Sequence, residues 1–359
     1  MKLNLHPRRV LIVRLTALGD VLVTLPALSA LRGLFPQARI AWAVEPPAHE
    51  LLEGHPHLDD VILVNRRPWQ RRMSRPWSLP SAVRHAVRCA RELSDMRFDL
   101  AVDFQGNLRS GVVTLASRAP FRLGFGRRYT REWAHRFTNA HFTPSSDALH
   151  RADLALSLVR ILGDVPSSVP PLLPEFRQAD VELETQFIEQ DLPRDFILLH
   201  PGTSPFGAFK RWPLSNFGIL ALRRRADLQT DFLVSWGSGE KEIAETVVRA
   251  SRGAAHLAPE LPTLRHMAEL IRRSKAFVAA DTGPLQLAWA LGKPLVGLYG
   301  PKDPELHAPR GPHCRILTAD VPCRPCTKRR CKDPICMTQI TIDSVFQSLA
   351  ELPAQPTPP

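Results

Sequence analysis

The stretch AFVAADTGPLQLAWALGKPLVGLY, residues 276–299, decides the fold. Its first five residues, 276–280, are apolar without interruption, the pattern of a strand buried on both faces. Asp281, Thr282, Gly283 and Pro284 then punctuate the chain. Pro284 suits a first helical turn, where its missing N–H costs nothing. Residues 285–291 continue as a helix, and residues 295–299 read as the next strand. Strand, helix and strand in such quick succession form a βαβ unit, which belongs to a parallel sheet.

Outward from this stretch the same alternation recurs. Strands are predicted at residues 196–199 and 232–235, with helices at 214–225, 240–250 and 264–273. In the first half, strands are predicted at 10–13, 40–44, 61–64 and 100–104. One helix runs to about residue 34 and another covers 81–93. Pro26 sits badly for a single long helix and predicts a kink or a later helix start. Between residues 162 and 194 prolines and acids accumulate, the composition of a boundary with room for one short helix. The expected fold class is α/β, with two Rossmann-like doubly wound domains at 1–175 and 176–350 facing across a cleft. A proline-rich tail at 351–359 is expected to be disordered.

The chain has 359 residues, and 47 Lys and Arg outweigh 35 Asp and Glu for a formal charge of +12. Such a balance suits an anionic partner: nucleic acid, an anionic membrane face or a phosphorylated substrate. The basic residues are scattered and follow no nucleic-acid-binding motif, so no nucleic acid is expected as partner. No window reaches 18 uninterrupted apolar residues, and no signal peptide is expected, which places the protein in the cytoplasm.

Several strand-to-helix junctions carry chemistry. Asp20, in the run Arg14 to Asp20, falls at a helix start, where it either caps the helix or acts as a general base. Gly19 is expected to let the backbone turn sharply there. The loop His200-Pro201-Gly202-Thr203-Ser204 offers hydroxyls and free N–H groups to phosphate oxygens, and Lys210 adds a positive charge for a leaving diphosphate. Behind Asp281, Thr282 and Gly283, a helix N-terminus is a ready diphosphate site. After the strand at 232–235, Glu240 reads as an acid in a first helical turn and Glu242 as a ribose contact. Arg67 and Arg71 lie in a basic run suited to phosphate or carboxylate. Cys323, Cys326, Cys331 and Cys336 have spacing that could hold a structural zinc, with reduced free thiols as the alternative. Cys89 and Cys314 read as small packing residues.

The chain resembles glycosyltransferase family 9, the lipopolysaccharide heptosyltransferases, over essentially its whole length. The matching pieces are RLTALGDVLVTLP, FDLAVDFQGNLRSG, HPGTS with KRWP, WGSGEKE, AADTGPLQLAWALGKPLVGLYGPKDP and the cysteine-rich end. The resemblance implies a GT-B arrangement and inverting transfer that requires no cofactor, from ADP-heptose to a lipid-linked saccharide acceptor. It implies Asp20 as catalytic base, Lys210 beside the donor phosphates, and Thr203, Ser204, Glu242, Asp281, Thr282 and Gly283 as donor contacts. Thr16, Gly19, Arg67, Arg71 and Arg131 fall on the acceptor side, and the amphipathic acceptor implies peripheral contact with the inner membrane. The chain departs from the family pattern at Arg14, Thr16, Ala17, Val23 and Gln286, where lysine, two serines and two histidines are usual. A transferase or epimerase acting on another nucleotide sugar is the alternative reading.

Overall fold

The structure is a computed structural model describing residues 5–64, 79–144, 146, 149–228, 230–326, 328 and 330–353. Contacts divide the chain into two compact units, Met1–Pro174 and Glu175–Pro359. In the first unit, β1 (Arg9–Val13), β2 (Arg39–Val44), β3 (Asp60–Leu63), β4 (Leu100–Asp103), β5 (Phe121–Phe125) and β6 (Ala140–Phe142) form one sheet. Their order is β3-β2-β1-β4-β5-β6, and every pairing is parallel. The helices are α1 (Leu18–Leu22), α2 (Leu25–Leu34), α3 (Leu79–Asp95), α4 (Leu108–Ala116) and α5 (Arg151–Val159). Apart from their opening arginines, β1 and β2 are wholly buried, which is why both are unbroken apolar runs. Pro26 lies in the first turn of α2, so the chain breaks after α1 and starts again, the later start its position predicted.

The second unit repeats the plan with β7 (Phe196–His200), β8 (Asp231–Val234), β9 (Ala255–Leu257), β10 (Phe277–Ala280), β11 (Leu295–Leu298) and β12 (Cys314–Leu317). The order is β12-β11-β10-β7-β8-β9, again all parallel. Its helices are α6 (Arg177–Glu189), α7 (Leu214–Leu228), α8 (Lys241–Ala250), α9 (Leu264–Arg273), α10 (Gly283–Ala290), α11 (Pro304–His307), α12 (Ile335–Thr338) and α13 (Ile342–Ala350). Each unit is therefore a doubly wound Rossmann-like fold, as expected. In each sheet the winding reverses once, between β1 and β4 and between β7 and β10. At such a reversal the two neighbouring loops diverge and leave a crevice at the carboxyl ends of the strands. Val13 lies opposite Asp103 at the first of these ends, and Ala279 opposite His200 at the second.

The acid-rich boundary holds more order than its composition implied. α6 spans 13 residues and buries Leu183 and Phe187, while Asp180 and Glu184 on it accept bonds from Arg273 of α9 at 2.6–2.9 Å. Its acids are thus partners of a neighbouring arginine and not linker composition. Among the described residues, no helix is long and apolar enough to cross a membrane.

Candidate active site

At the reversal of the first sheet, the loop after β1 is held by the loop after β4. The Gln105 side-chain oxygen accepts from the N–H groups of Leu15 (2.7 Å) and Thr16 (3.1 Å). Buried Asp103 anchors Gln105 in turn, accepting from the N–H groups of Gln105 (2.9 Å) and Gly106 (3.0 Å) and from the Ser110 hydroxyl (2.9 Å). Burial pushes the Asp103 carboxyl above the usual range, against those bonds. Arg14 donates to Phe104 O at 2.6 Å, and its other Nη meets Asp20 Oδ2 at 3.0 Å. Asp20 is the third residue of α1, and the Ala17 N–H donates to the same Oδ2 at 3.4 Å. Ala17 has no side-chain acceptor, so only half of a capping box exists. Asp20 is 47% exposed and remains open to a substrate hydroxyl.

Arg151 stands near this carboxylate, and Arg131 stands near Arg151. The Arg131 N–H donates to Gly106 O at 2.8 Å, and Gly106 takes a φ of +66°, a conformation glycine adopts without strain. Arg151 is the first residue of α5, after His150, whose Nδ1 accepts from the Ala152 N–H at 3.2 Å. A cation at a helix N-terminus opposes the helix dipole. The surrounding protein, with help from the like charges of Arg14 and Arg131, holds the Arg151 guanidinium below its ordinary value, while Asp20 pulls the other way. Nothing in the sequence around Arg151 marked it out. Gln105 was visible within the FQGNLRSG run, but its role as a brace needed the pairing of β1 with β4.

Gly19 corrects an expectation: it lies inside α1, and the chain turns before it at Thr16 and Ala17. Arg67 and Arg71 lie outside the described residues. Cys89 is exposed on α3, so it is not a packing residue, whereas Cys314 is half-buried and its thiol is pushed up to about 12 by burial.

At the reversal of the second sheet, Lys210 Nζ meets Asp281 Oδ2 at 2.6 Å, with side chains 20% and 16% exposed. Lys210 ends a short 3-10 turn, Pro205–Lys210, that starts after exposed Ser204. Buried Thr203 accepts a bond from Arg211 at 3.2 Å. Asp281 also lies against Tyr299, whose phenol is raised well above its usual value, chiefly by burial and then by the Asp281 charge.

Next to this pair, Thr282 is the N-cap of α10 and makes no side-chain cap bond. Its hydroxyl is buried without a hydrogen-bond partner. Pro284 has no N–H to offer, so the open donors of the first turn belong to its neighbours. An uncapped helix N-terminus, an unpartnered hydroxyl and a lysine paired with a carboxylate thus occur together after β10.

The two acids after β8 differ in burial, and Glu240 is the one packed inward. It precedes α8, accepts from the Gly237 N–H at 3.1 Å and lies against Gly202, where a Cβ would fall 2.2 Å from its carboxylate. Burial raises its carboxyl, opposed by Gly237, Arg211 and the Thr203 backbone. Glu242 is exposed in the first turn of α8.

The cysteine segment does not present the four-thiolate cage its spacing suggested. Among the described residues, no three His, Cys, Asp or Glu side chains gather as a metal site. The thiols have backbone partners instead: Cys331 donates to Asp333 O at 3.1 Å, and the Lys328 N–H donates to Cys326 Sγ at 3.4 Å. Cys336 is buried.

Residues 86–336 match the model of glycosyltransferase family 9 (heptosyltransferase). This chain belongs to that family. The family 9 chain is 30% identical to lipopolysaccharide heptosyltransferase 1 of Pseudomonas aeruginosa over 95% of its own length and 97% of the relative's. It is 25% identical to the lipopolysaccharide core heptosyltransferase OpsX of Haemophilus influenzae over 84% of its length and 82% of the relative's. Its fold matches E. coli heptosyltransferase WaaC with ADP at a TM-score of 0.74, with 24% identity, covering 96% of this chain and 99% of that one. Membership makes this chain a glycosyltransferase, and the two sheet reversals are where its family-matching motifs converge.

Proposed function

We propose that this chain transfers a heptose from ADP-L-glycero-D-manno-heptose to the inner core of lipopolysaccharide, on a Kdo or heptosyl acceptor, with inversion at the anomeric carbon. The observation that carries this reading is the open N-terminus of α10, with its orphan Thr282 hydroxyl beside Lys210. Its relatives supply the identity of the sugar and the acceptor.

Residues 176–350 hold the donor in this reading. Lys210 exchanges Asp281 for the diphosphate, Thr203, Ser204, Thr282 and Gly283 donate to its oxygens, and Glu242 takes the ribose hydroxyls. Residues 1–175 hold the acceptor through Thr16, Gly19, Arg67, Arg71 and Arg131, and we add Arg151, whose guanidinium suits an acidic sugar. Asp20 removes the proton from the acceptor hydroxyl as its oxygen bonds to the anomeric carbon. The bond from that carbon to the phosphate oxygen breaks, and ADP leaves with the electron pair, stabilised by Lys210 and the helix N-terminus. Arg14 keeps Asp20 in place, and Gln105 keeps the loop that carries it. No step of this reaction is routed through a metal. A structural zinc on Cys323, Cys326, Cys331 and Cys336 would require Cys326 and Cys331 to turn from their backbone partners, and metal analysis of the purified protein decides that point. The proposed location is the cytoplasm, in peripheral contact with the inner membrane.

The test is a donor screen on truncated lipopolysaccharide ending in Kdo or in a first heptose. ADP-heptose is the expected substrate. Transfer from another nucleotide sugar in its place, or epimerisation without an acceptor, would overturn the reading.

A further inference from the structure

α4 is built inside out. It buries Ser110, Thr114 and the following Ser117, and exposes Leu108 (45%), Val112 (51%) and Leu115 (48%). The buried hydroxyls are satisfied locally: Ser110 donates to Asp103, Thr114 to Ser110 O at 2.9 Å and Ser117 to Thr114 O at 2.6 Å. Gly111 lets the buried face approach Phe137 so closely that a Cβ would stand 2.6 Å from its ring. The three apolar residues at i, i+4 and i+7 therefore form one exposed stripe.

A second feature lies beside it. The turn Ala134–Phe137 packs against α4, and just before it Trp133 is 59% exposed. Arg127 and Arg136 lie over the Trp133 ring, at 5.6 Å and 4.9 Å from its centroid. The acid between these arginines, Glu132, is turned to the helix and accepts from the Leu108 N–H at 3.1 Å. α3 also packs against α4 and carries exposed Arg84 and Arg88.

We propose that the exposed face of α4, with Trp133 and its flanking arginines, docks this unit onto an anionic phospholipid surface. Leucine and valine side chains enter the boundary between headgroups and acyl chains, tryptophan suits that depth, and the arginines at Trp133 and on α3 meet lipid phosphates. Charge decides between a lipid surface and a second copy of this chain. The stripe is bordered by cations, which would repel their own image in a symmetric dimer and are attracted to anionic headgroups. The site of Asp20 adjoins this face, because α4 starts from the same β4 loop that braces the Asp20 loop. An acceptor held in a membrane would then be met at its own surface. The inference rests on the proposed reading only for that purpose, since vesicles without acceptor test the surface by itself.

The experiment is co-sedimentation of the full chain with vesicles of phosphatidylglycerol in phosphatidylcholine, compared with phosphatidylcholine alone. Wild type should bind the anionic vesicles and lose binding at high salt. Val112→Glu with Leu115→Glu should lower the bound fraction at least tenfold, and Trp133→Ala should lower it severalfold. The thermal midpoint and ADP affinity of each variant check that it is folded. Wild-type protein that ignores anionic vesicles, variants that bind them as well as wild type, or a dimer in light scattering that the double variant dissolves would each overturn the proposal. Heptose transfer to a delipidated acceptor reports separately on the proposed function. That activity without vesicle binding sinks the docking surface alone, and the converse sinks the function alone.

Discussion

Replacing Thr282 by valine should move stability and donor affinity in opposite directions. Valine has nearly the shape of threonine and lacks only the hydroxyl. A threonine at an N-cap ordinarily supports its helix by about 1 kcal/mol, but Thr282 makes no cap bond, so that contribution is absent. Its buried hydroxyl is instead unpaired in the empty protein, a state that costs about 1–3 kcal/mol for a buried polar group. Thr282→Val should therefore stabilise the ligand-free protein by about 1 kcal/mol, or about 2–4 °C in Tm for a unit of this size. In the complex the same hydroxyl is expected to donate to a diphosphate oxygen. A hydrogen bond to a charged group contributes about 1.5–3 kcal/mol, so ADP should bind roughly 10- to 150-fold more weakly. Calorimetric melting without ligand and titration with ADP read the two effects. A lower Tm would show that the hydroxyl caps the helix in solution, and an unchanged ADP affinity would show that it never meets phosphate; either result refutes the argument.

Asp20→Asn should lower kcat by about 10²–10⁴-fold while ADP still binds, as measured by steady-state turnover beside titration. Lys210→Gln leaves Asp281 largely buried without its partner and should cost about 2–3 kcal/mol of stability. Adding Asp281→Asn should restore most of that stability, with ADP affinity still low. Gln105→Ala frees the Leu15 and Thr16 amides and should reduce kcat about tenfold at a nearly unchanged donor KM, since the loop that places Asp20 loosens. His55 and His200 are buried neutral, each lowered to about 4, chiefly by burial. The unfolded chain takes up their protons first, near pH 6.5, so stability is full above that value and falls as pH drops towards 4, by about 3 kcal/mol for each histidine. Denaturant melts across that range should show the loss, and His200→Asn should remove its share of the slope.

The strands that face protein on both sides were legible in the sequence because burial leaves their central residues apolar. β1, β2, β7, β10 and β11 all follow this rule. The edge strands β6 and β9 were not, because three residues such as Ala140–Phe142 cannot show a period. α4 was missed for a different reason: its buried face is Ser110, Gly111 and Thr114, so the pattern of polarity points the wrong way. In the candidate site, the positions of Asp20 and Asp281 after β1 and β10 were legible from the strands they follow, and Lys210 from the loop after β7. Arg151 was not, because it is near Asp20 only through the fold. The difference between Glu240 and Glu242 turned on the space that Gly202 leaves, which no spacing rule contains.

The Lys210–Asp281 pair has a further consequence. An ammonium held at 2.6 Å by its own protein's carboxylate is not simply on offer to any passing anion. A newcomer must displace a rival tethered to the same chain. In the proposed reading a diphosphate spans the helix end and the lysine together, and so has more contacts with which to win that exchange than a lone phosphate. In the proposed reading, selectivity for the activated sugar over simple phosphates starts at this pair, before any sugar hydroxyl is recognised.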